Sequence, residues 1–272
     1  MAVTLAGYAC LSSLSPPPAP SSCPCPPRRS YYCKCNHNSH QTLTHITSSG
    51  VIACLRATSA ELAVDAACAA LDAGISVLEI VVPTPGFLEV LEHLVQQYPT
   101  KTIGAGTVLS LKDAKGAIHA GAKFLMSPAT VKEILDYVHE GEALYIPGVM
   151  TPTEIYYAHN FGAKIVKVYP VSALGGICYI KALQKPFSHI PMVASQGIAI
   201  DHIETYITQG ASSVVLSDAI FDKEAMLQQN FSTIRQLARL AVLRSSNAME
   251  SMLRYGILLS LKYKPRIAAH QI

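Results

Sequence analysis

The sequence predicts an α/β fold, a single (β/α)8 barrel of the TIM type, and three observations support this prediction. From Gly50 onward, short apolar runs alternate with amphipathic segments at intervals of about 20 to 25 residues. Each kind of segment occurs eight times, and eight parallel strands with covering helices favour closure into a barrel. Three amphipathic segments end in a Gly-Ala step, at Gly121, Gly162 and Gly210, as expected where a helix stops and a strand begins.

The predicted elements follow directly from these patterns. The strands are predicted at residues 51–55, 77–82, 102–105, 124–127, 143–146, 165–169, 192–195 and 213–216. The helices are predicted at residues 60–73, 87–98, 111–119, 131–139, 152–160, 179–184 and 201–208, with a long last helix from 223 to about 244. The barrel as a whole is predicted over residues 48–246.

Composition excludes two classes of function. The chain has 272 residues, of which 50% are hydrophobic and 14% are charged, and this is enough apolar material for one large core. No apolar run reaches the roughly 18 residues that a membrane helix needs, so no membrane span is predicted. Residues 50–224 contain 11 basic and 17 acidic residues, and an acidic body argues against nucleic-acid binding by the core.

The two ends of the chain do not resemble the barrel. Residues 1–47 are rich in Ser, Thr and Pro and contain three basic residues but no Asp or Glu, which is the composition of an organellar transit peptide. We therefore predict a disordered targeting segment and a chloroplast (plastid) location. Residues 247–272 are predicted to form a C-terminal extension, either poorly ordered or an amphipathic segment at a membrane surface.

Cysteines near the amino terminus could imitate a metal site. Cys23-Pro24-Cys25 and Cys33-Lys34-Cys35 are followed by His37 and His40. The spacing is C-x-C rather than the C-x2-C of zinc sites, and no paired ligands follow, so no metal is predicted. Cys54, Cys68 and Cys178 occur singly in apolar or helical segments and are interpreted as reduced core residues.

Two charged residues lie in otherwise apolar strands. Lys167 is in the middle of a β-branched run, and Glu79 is the one acid in the strand at residues 77–82. Each side chain could point outward to solvent or to a helix. If both point into the barrel, loss of water disfavours the lysine ammonium, and a neutral amine is the form that attacks a ketone to give a Schiff base. A carboxylate beside the lysine would stabilise the charged forms of both groups and would act as a proton shuttle.

Chemistry in this type of barrel gathers at the carboxyl ends of the strands. The residues that finish the predicted strands are therefore candidates for the site. They are Arg56, Thr107, Ser127-Pro128, Pro147-Gly148, Ser195-Gln196-Gly197 and Ser217-Asp218.

Five blocks of sequence, in this order and spacing, resemble the KDPG/KHG aldolase family. They are LEI at 78–80, IGAGTV at 103–108, FLMSP at 124–128, IPGVMTPTE at 146–154 and VKVYP at 166–170. Five blocks with matching spacing are far more specific than any single motif. The resemblance implies a plant-type plastid homologue of class I aldolases that act on 2-keto-3-deoxy-6-phosphogluconate (KDPG) or 4-hydroxy-2-oxoglutarate. It also implies pyruvate as a common product, no metal or other cofactor, and a homotrimer of barrels.

The resemblance implies a role for each matching residue. Lys167 matches the Schiff-base lysine and Glu79 the general acid and base. Thr107 matches a residue near the carboxylate of the pyruvyl group, and Pro128 a proline that lines the site. Arg56 either binds the substrate carboxylate or forms a salt bridge at the rim.

Three departures from the family pattern leave the substrate open. Pro83 stands where many members have an arginine, Gln196 where they have a glycine, and Leu216-Ser217-Asp218 where the phosphate site has Gly-Gly-Ser. Ser195 and Gly197 flank Gln196 and are predicted to contact substrate. The first expectation is cleavage of KDPG to pyruvate and glyceraldehyde 3-phosphate. The alternatives are an unphosphorylated substrate, 4-hydroxy-2-oxoglutarate, or a catalytically weakened barrel that binds a metabolite.

Overall fold

The computed structural model describes the backbone of residues 35–138 and 143–262, and the side chains of residues 39–138 and 143–254. Its strands are β1 Val51–Leu55, β2 Val77–Val81, β3 Thr102–Gly106, β4 Phe124–Met126, β5 Leu144–Ile146, β6 Gly148–Val149, β7 Val166–Val168, β8 Met192–Ser195 and β9 Ser213–Leu216. Its helices are α1 Cys35–Ser49, α2 Ala60–Asp72, α3 Phe87–Gln97, α4 Leu111–His119, α5 Lys132–Val138, α6 Pro152–Asn160, α7 Ile177–Gln184, α8 Ile203–Thr208, α9 Lys223–Leu227 and α10 Phe231–Lys262.

The sheet is a closed barrel with eight strand positions, one of which is shared by β5 and β6. Within the described residues, nine parallel strands are hydrogen-bonded in the order β5-β4-β3-β2-β1-β9-β8-β7-β6. The two ends of this order, β5 and β6, follow each other in the chain and are separated by Pro147 alone. The Pro147 carbonyl still accepts a hydrogen bond from the Lys167 amide at 2.8 Å. The predicted eight-stranded barrel is thus confirmed. Its fifth strand is divided into β5 and β6 because Pro147 has no N–H to donate.

Two layers of apolar side chains hold the barrel together. One lies between the sheet and the helices and includes the alanine-rich face of α2. The other fills the barrel interior and includes Ile52, Val77, Phe124, Ile165 and Val193. Because side chains alternate along a strand, the residues two positions further along face the same interior, closer to the carboxyl ends. The side chains at these further positions therefore point toward the site described below.

The amino-terminal end of the barrel is covered by α1, which the sequence did not predict. Ile46 of α1 is completely buried and packs against the interior cluster, and His45 Nδ1 lies 2.5 Å from Thr102 Oγ1 at the start of β3. The predicted division after residue 47 therefore falls inside a helix that belongs to the barrel. Residues 1–34, the rest of the predicted targeting segment, lie outside the described residues, as do Cys23, Cys25 and Cys33.

The carboxyl-terminal helix differs from the prediction in two ways. The single helix expected from residue 223 is broken into α9 and α10, because Gln229 has a φ of +52° and the Asn230 side chain accepts a hydrogen bond from the Thr233 amide. Helix α10 then runs past the predicted division after residue 246, and Ala248 is fully buried. None of the helices among the described residues combines the length and apolar character required to cross a bilayer.

Candidate active site

Lys167 and Glu79 meet inside the barrel. Lys167 Nζ lies 3.7 Å from Glu79 Oε1, and the two side chains are 8% and 1% exposed. They come from β7 and β2, on opposite sides of the sheet order. Both point inward because they occupy the alternating positions above Ile165 and Val77. The interpretation of either residue as an outward, solvated charge is therefore wrong.

Glycine in β3 makes room for this pair. A Cβ atom placed on Gly106 would collide with the Glu79 carboxylate, and one placed on Gly104 would collide with Phe124 in the layer below. Any larger residue at Gly106 would displace the carboxylate from the lysine. The Gly-Ala-Gly of the IGAGTV block thus has a steric cause, since its two glycines face the barrel interior.

The Glu79 carboxylate has few partners besides the lysine. Neither of its oxygens accepts a hydrogen bond from the described residues. Since a buried carboxylate without hydrogen bonds loses much of its solvation, the Lys167 cation is its principal compensation. The ammonium also lies 5.5 Å from the centre of the Tyr169 ring, within cation–π range. This leaves both Glu79 oxygens free to exchange protons with a bound molecule.

Cys54 adds a neutral group to the same site. It lies beside Glu79 in the register of β1 and β2 and lines the same cavity. Burial, and then the negative charge of Glu79, raise the pKa of the Cys54 thiol well above its ordinary value. Cys54 also packs against the interior cluster, as predicted for a small core residue, and its thiol remains protonated and so is a poor nucleophile. The same prediction is wrong for Cys178, which is exposed.

The pair opens into a cavity of about 670 Å³ at the carboxyl ends of the strands. All seven predicted site residues line it: Arg56, Glu79, Thr107, Pro128, Lys167, Ser195 and Gly197. Cys54, Val81 and Tyr169 also line it and are not among the residues predicted from the sequence. The period of two along β1, with Ile52 buried and Cys54 two residues later, is the signal that could have identified Cys54.

Thr107 is held by a left-handed backbone conformation, and the turn at Pro128 is held by hydrogen bonds. Thr107 has a φ of +58°, which is strained for a β-branched residue and occurs where surrounding structure fixes it. The turn at Pro128 is held by the Tyr145 hydroxyl, which donates to Ser127 Oγ at 3.0 Å and accepts from the Val131 amide at 3.1 Å. Both residues are therefore presented to the cavity by rigid supports.

The rim of the cavity carries the residues that depart from the family pattern. Gln196 has a φ of +87°, a conformation that favours glycine, and its side-chain oxygen accepts a hydrogen bond from the Ser172 hydroxyl. Gly197 packs so closely on Ser172 that a Cβ atom would not fit. Asp218 lies on the cavity wall, and its Oδ2 is 3.4 Å from Lys223 Nζ in an exposed ion pair. The negative charge at Asp218 is thus partly offset by a neighbouring cation.

This fold and this buried amine–carboxylate pair define a class of protein, the barrel enzymes that carry a lysine inside the barrel. The family model for KDPG and KHG aldolase matches residues 43–237, and the chain belongs to that family. It is an aldolase, a class I aldehyde-lyase that cleaves carbon–carbon bonds.

Individual proteins agree with this assignment. The KHG/KDPG aldolase of Escherichia coli (strain K12) is 27% identical over 197 residues, which cover 72% of this chain and 92% of that one. The 2-dehydro-3-deoxy-phosphogluconate aldolase of Pseudoalteromonas atlantica is 31% identical over 180 residues, covering 66% and 84%. The KDPG aldolase of Legionella pneumophila, crystallised with pyruvate captured as a covalent carbinolamine, superimposes with a TM-score of 0.69 at 30% identity, covering 74% and 98%.

Proposed function

We propose that this chain cleaves a 2-keto-3-deoxy sugar acid, such as KDPG, to pyruvate and an aldehyde through a Schiff base on Lys167. With KDPG the aldehyde is glyceraldehyde 3-phosphate. The single observation that carries the proposal is the 3.7 Å contact between Lys167 Nζ and Glu79 Oε1 inside a cavity. The covalent pyruvate of the Legionella pneumophila aldolase supports the same kind of intermediate here.

The contact between the two charged groups supplies the chemistry that the first step needs. Transfer of one proton from the Lys167 ammonium to Glu79 gives a neutral amine beside a neutral acid. The amine adds to the C2 ketone, and the acid then gives its proton to the carbinolamine oxygen, which leaves as water. The iminium that results accepts the electron pair of the C3–C4 bond when the Glu79 carboxylate takes the C4 hydroxyl proton, which releases the aldehyde and leaves an enamine on Lys167. Glu79 reprotonates the enamine, and hydrolysis releases pyruvate.

The other lining residues have roles that follow from their positions. Arg56 provides the cation for the substrate carboxylate, because it lines the cavity and Pro83 cannot take that role. Thr107 and Pro128, on rigid turns, shape the pyruvyl end of the cavity. Ser195 and Gly197, after β8, lie toward the end that the aldehyde fragment occupies.

Reductive trapping tests the central step. Incubation with pyruvate and borohydride is expected to add one reduced pyruvyl group to Lys167, located by mass spectrometry of its peptide. A Lys164→Met variant is the matched control, because Lys164 lies three residues earlier and is exposed. It should trap pyruvate as the native chain does, whereas Lys167→Met should not. An adduct on another lysine, or none with any 2-oxo acid, would contradict the proposal and favour a weakened barrel that binds a metabolite.

A second candidate substrate is 4-hydroxy-2-oxoglutarate, which carries no phosphate. Two observations favour it. The Gln196 side chain is fixed by Ser172 where a phosphate would approach glycine N–H groups, and Asp218 places a negative charge on the same wall. The Lys223 cation beside Asp218 weakens the second argument without removing it, since both groups are exposed.

Turnover of the two acids separates these candidates. If Asp218 repels phosphate, Asp218→Ser should raise kcat/KM for KDPG about three- to tenfold and leave that for 4-hydroxy-2-oxoglutarate unchanged. Asp136→Ser is the matched control, because Asp136 is exposed on α5 and also paired with a lysine. A strong native preference for KDPG that Asp218→Ser does not alter would eliminate the second candidate.

We further propose a plastid location and a homotrimer. The location is supported by the acid-free, Ser- and Pro-rich residues 1–34, and a fusion of this segment to a fluorescent protein that stayed in the cytosol would contradict it. The trimer is supported by the resemblance of the barrel to its family, and light scattering of the purified chain would reveal any other mass.

A further inference from the structure

A second chamber adjoins the catalytic cavity. It has a volume of about 470 Å³, within the range of small-molecule sites. Arg56, Ser217 and Asp218 line both spaces, so the two chambers are neighbours at these residues. Beyond them the second chamber extends between the start of α2 and α9, away from Lys167.

The second chamber carries a group of apolar side chains in its lining, beside the polar residues Thr58, Ser59, Lys223 and Gln229. Leu62 of α2 faces Phe221, Met226 and Leu227 from the segment around α9. Phe221 and Met226 are buried, but Leu227 is 78% exposed and stands at the lip. Exposed leucines occur singly on many proteins and need no explanation by themselves. Here the leucine continues a wall of three other apolar side chains, and that wall ends at the charged junction with the catalytic cavity.

The orientation of the substrate on Lys167 determines which part of it can enter the second chamber. The pyruvyl carbons are held at Lys167, so the part of the substrate beyond C4 has to extend away from that residue. Since Ser217 and Asp218 border both spaces, a substrate chain that continues past these two residues would enter the second chamber. A polar group at C4 can remain at the junction, whereas a hydrocarbon chain attached to it gains by leaving water.

We infer that the second chamber binds the aldehyde-derived part of 4-hydroxy-2-oxo acids that carry a hydrocarbon chain. This inference rests on the proposed function and names a substrate class for the same site. In the synthetic direction, C3 of the enamine on Lys167 bonds to the carbonyl carbon of an aliphatic aldehyde. The carbonyl oxygen takes up a proton to become the C4 hydroxyl, and water hydrolyses the iminium to release the 4-hydroxy-2-oxoalkanoate.

A series of unbranched aldehydes measures the effect. Condensation of pyruvate with acetaldehyde, butanal and hexanal is followed by kcat/KM for the aldehyde. Full burial of one methylene corresponds to about a fourfold gain, and partial burial to roughly twofold, so hexanal should exceed acetaldehyde by about tenfold or more. Leu227→Glu should remove most of this gain while leaving acetaldehyde within about twofold of the native value.

The matched control is Leu253→Glu, which changes another well-exposed leucine, on α10, and should leave the whole series unaltered. Borohydride trapping of pyruvate on Lys167 is measured for every variant. Intact trapping without any dependence on chain length would overturn this inference alone, whereas absent trapping in the native chain would overturn the proposed function as well. A change of oligomeric mass in Leu227→Glu would assign the apolar lip to a subunit interface and would also overturn it.

Discussion

Replacing Lys167 by methionine is expected to lower the rate of aldol cleavage by a factor on the order of 10⁵ or more, because the only amine in contact with Glu79 among the described residues is lost. Methionine has a similar length and fills the same apolar surroundings. No other group on the cavity wall replaces the amine: the Cys54 thiol stays protonated because burial and Glu79 raise its pKa. Turnover of KDPG and of 4-hydroxy-2-oxoglutarate checks the prediction.

The same substitution should also reveal how strongly the pair is coupled. Without the lysine, Glu79 is a buried carboxylate with neither a cation nor a hydrogen bond, which we expect to cost about 3 kcal/mol of folding free energy. The value is at the low end of the range for broken buried pairs because water enters the cavity. The double variant Lys167→Met with Glu79→Gln should recover most of this loss without recovering turnover. Urea unfolding of the four forms gives the coupling energy, and additive free energies would show that the contact is unimportant.

Most of the fold could be predicted because its information is local. The alternation of apolar runs and amphipathic segments, with capping residues such as Ser59, Ser110 and Thr151, determines each element by its own residues. Helix α1 could not be predicted in this way. Most of its residues are Ser, Thr, His and Asn, which have low helix propensity, and it carries no acidic first turn. Packing of Ile46 at the end of the barrel stabilises it, and that contact is with strands far along the chain.

Some features of the site could also be predicted from local sequence, whereas others depend on the folded structure. Glu79 and Lys167 could be selected from sequence because a single charge in an apolar strand is unusual and expensive to bury. For Cys54 the residue type is no guide, since cysteine is common in buried strands, and the signal is its position two residues after Ile52 in β1. The role of Gly106 depends on the register between β2 and β3, which places it beside the Glu79 side chain. The positive φ of Thr107 and the Ser172–Gln196 contact depend on the folded turns, so the sequence alone gave no sign of them.

Replacing Glu79 by glutamine is expected to lower kcat by about 10² to 10⁴, the usual contribution of a general acid–base group. The amide has nearly the same shape but cannot take a proton from Lys167 or return one to the carbinolamine. Exchange of the methyl protons of pyruvate with solvent deuterium reports this proton transfer without an aldehyde, and it should fall by a similar factor. Borohydride should still capture some pyruvate on Lys167 after long incubation, because the amine remains.

The comparison of these two readouts distinguishes a catalytic role for Glu79 from a purely structural one. If Glu79 serves only to hold the lysine in place, trapping on Lys167 and proton exchange should decline together, since both then depend on the position of the amine. If it carries protons, exchange should fall much further than trapping. Glu89→Gln is the matched control, because Glu89 lies on the exposed side of α3 and does not line the cavity. If Glu79→Gln exchanges protons within about threefold of the native rate, Glu79 is not the base and another group that lines the cavity must be. The Cys54 thiol cannot be that base, because it stays protonated.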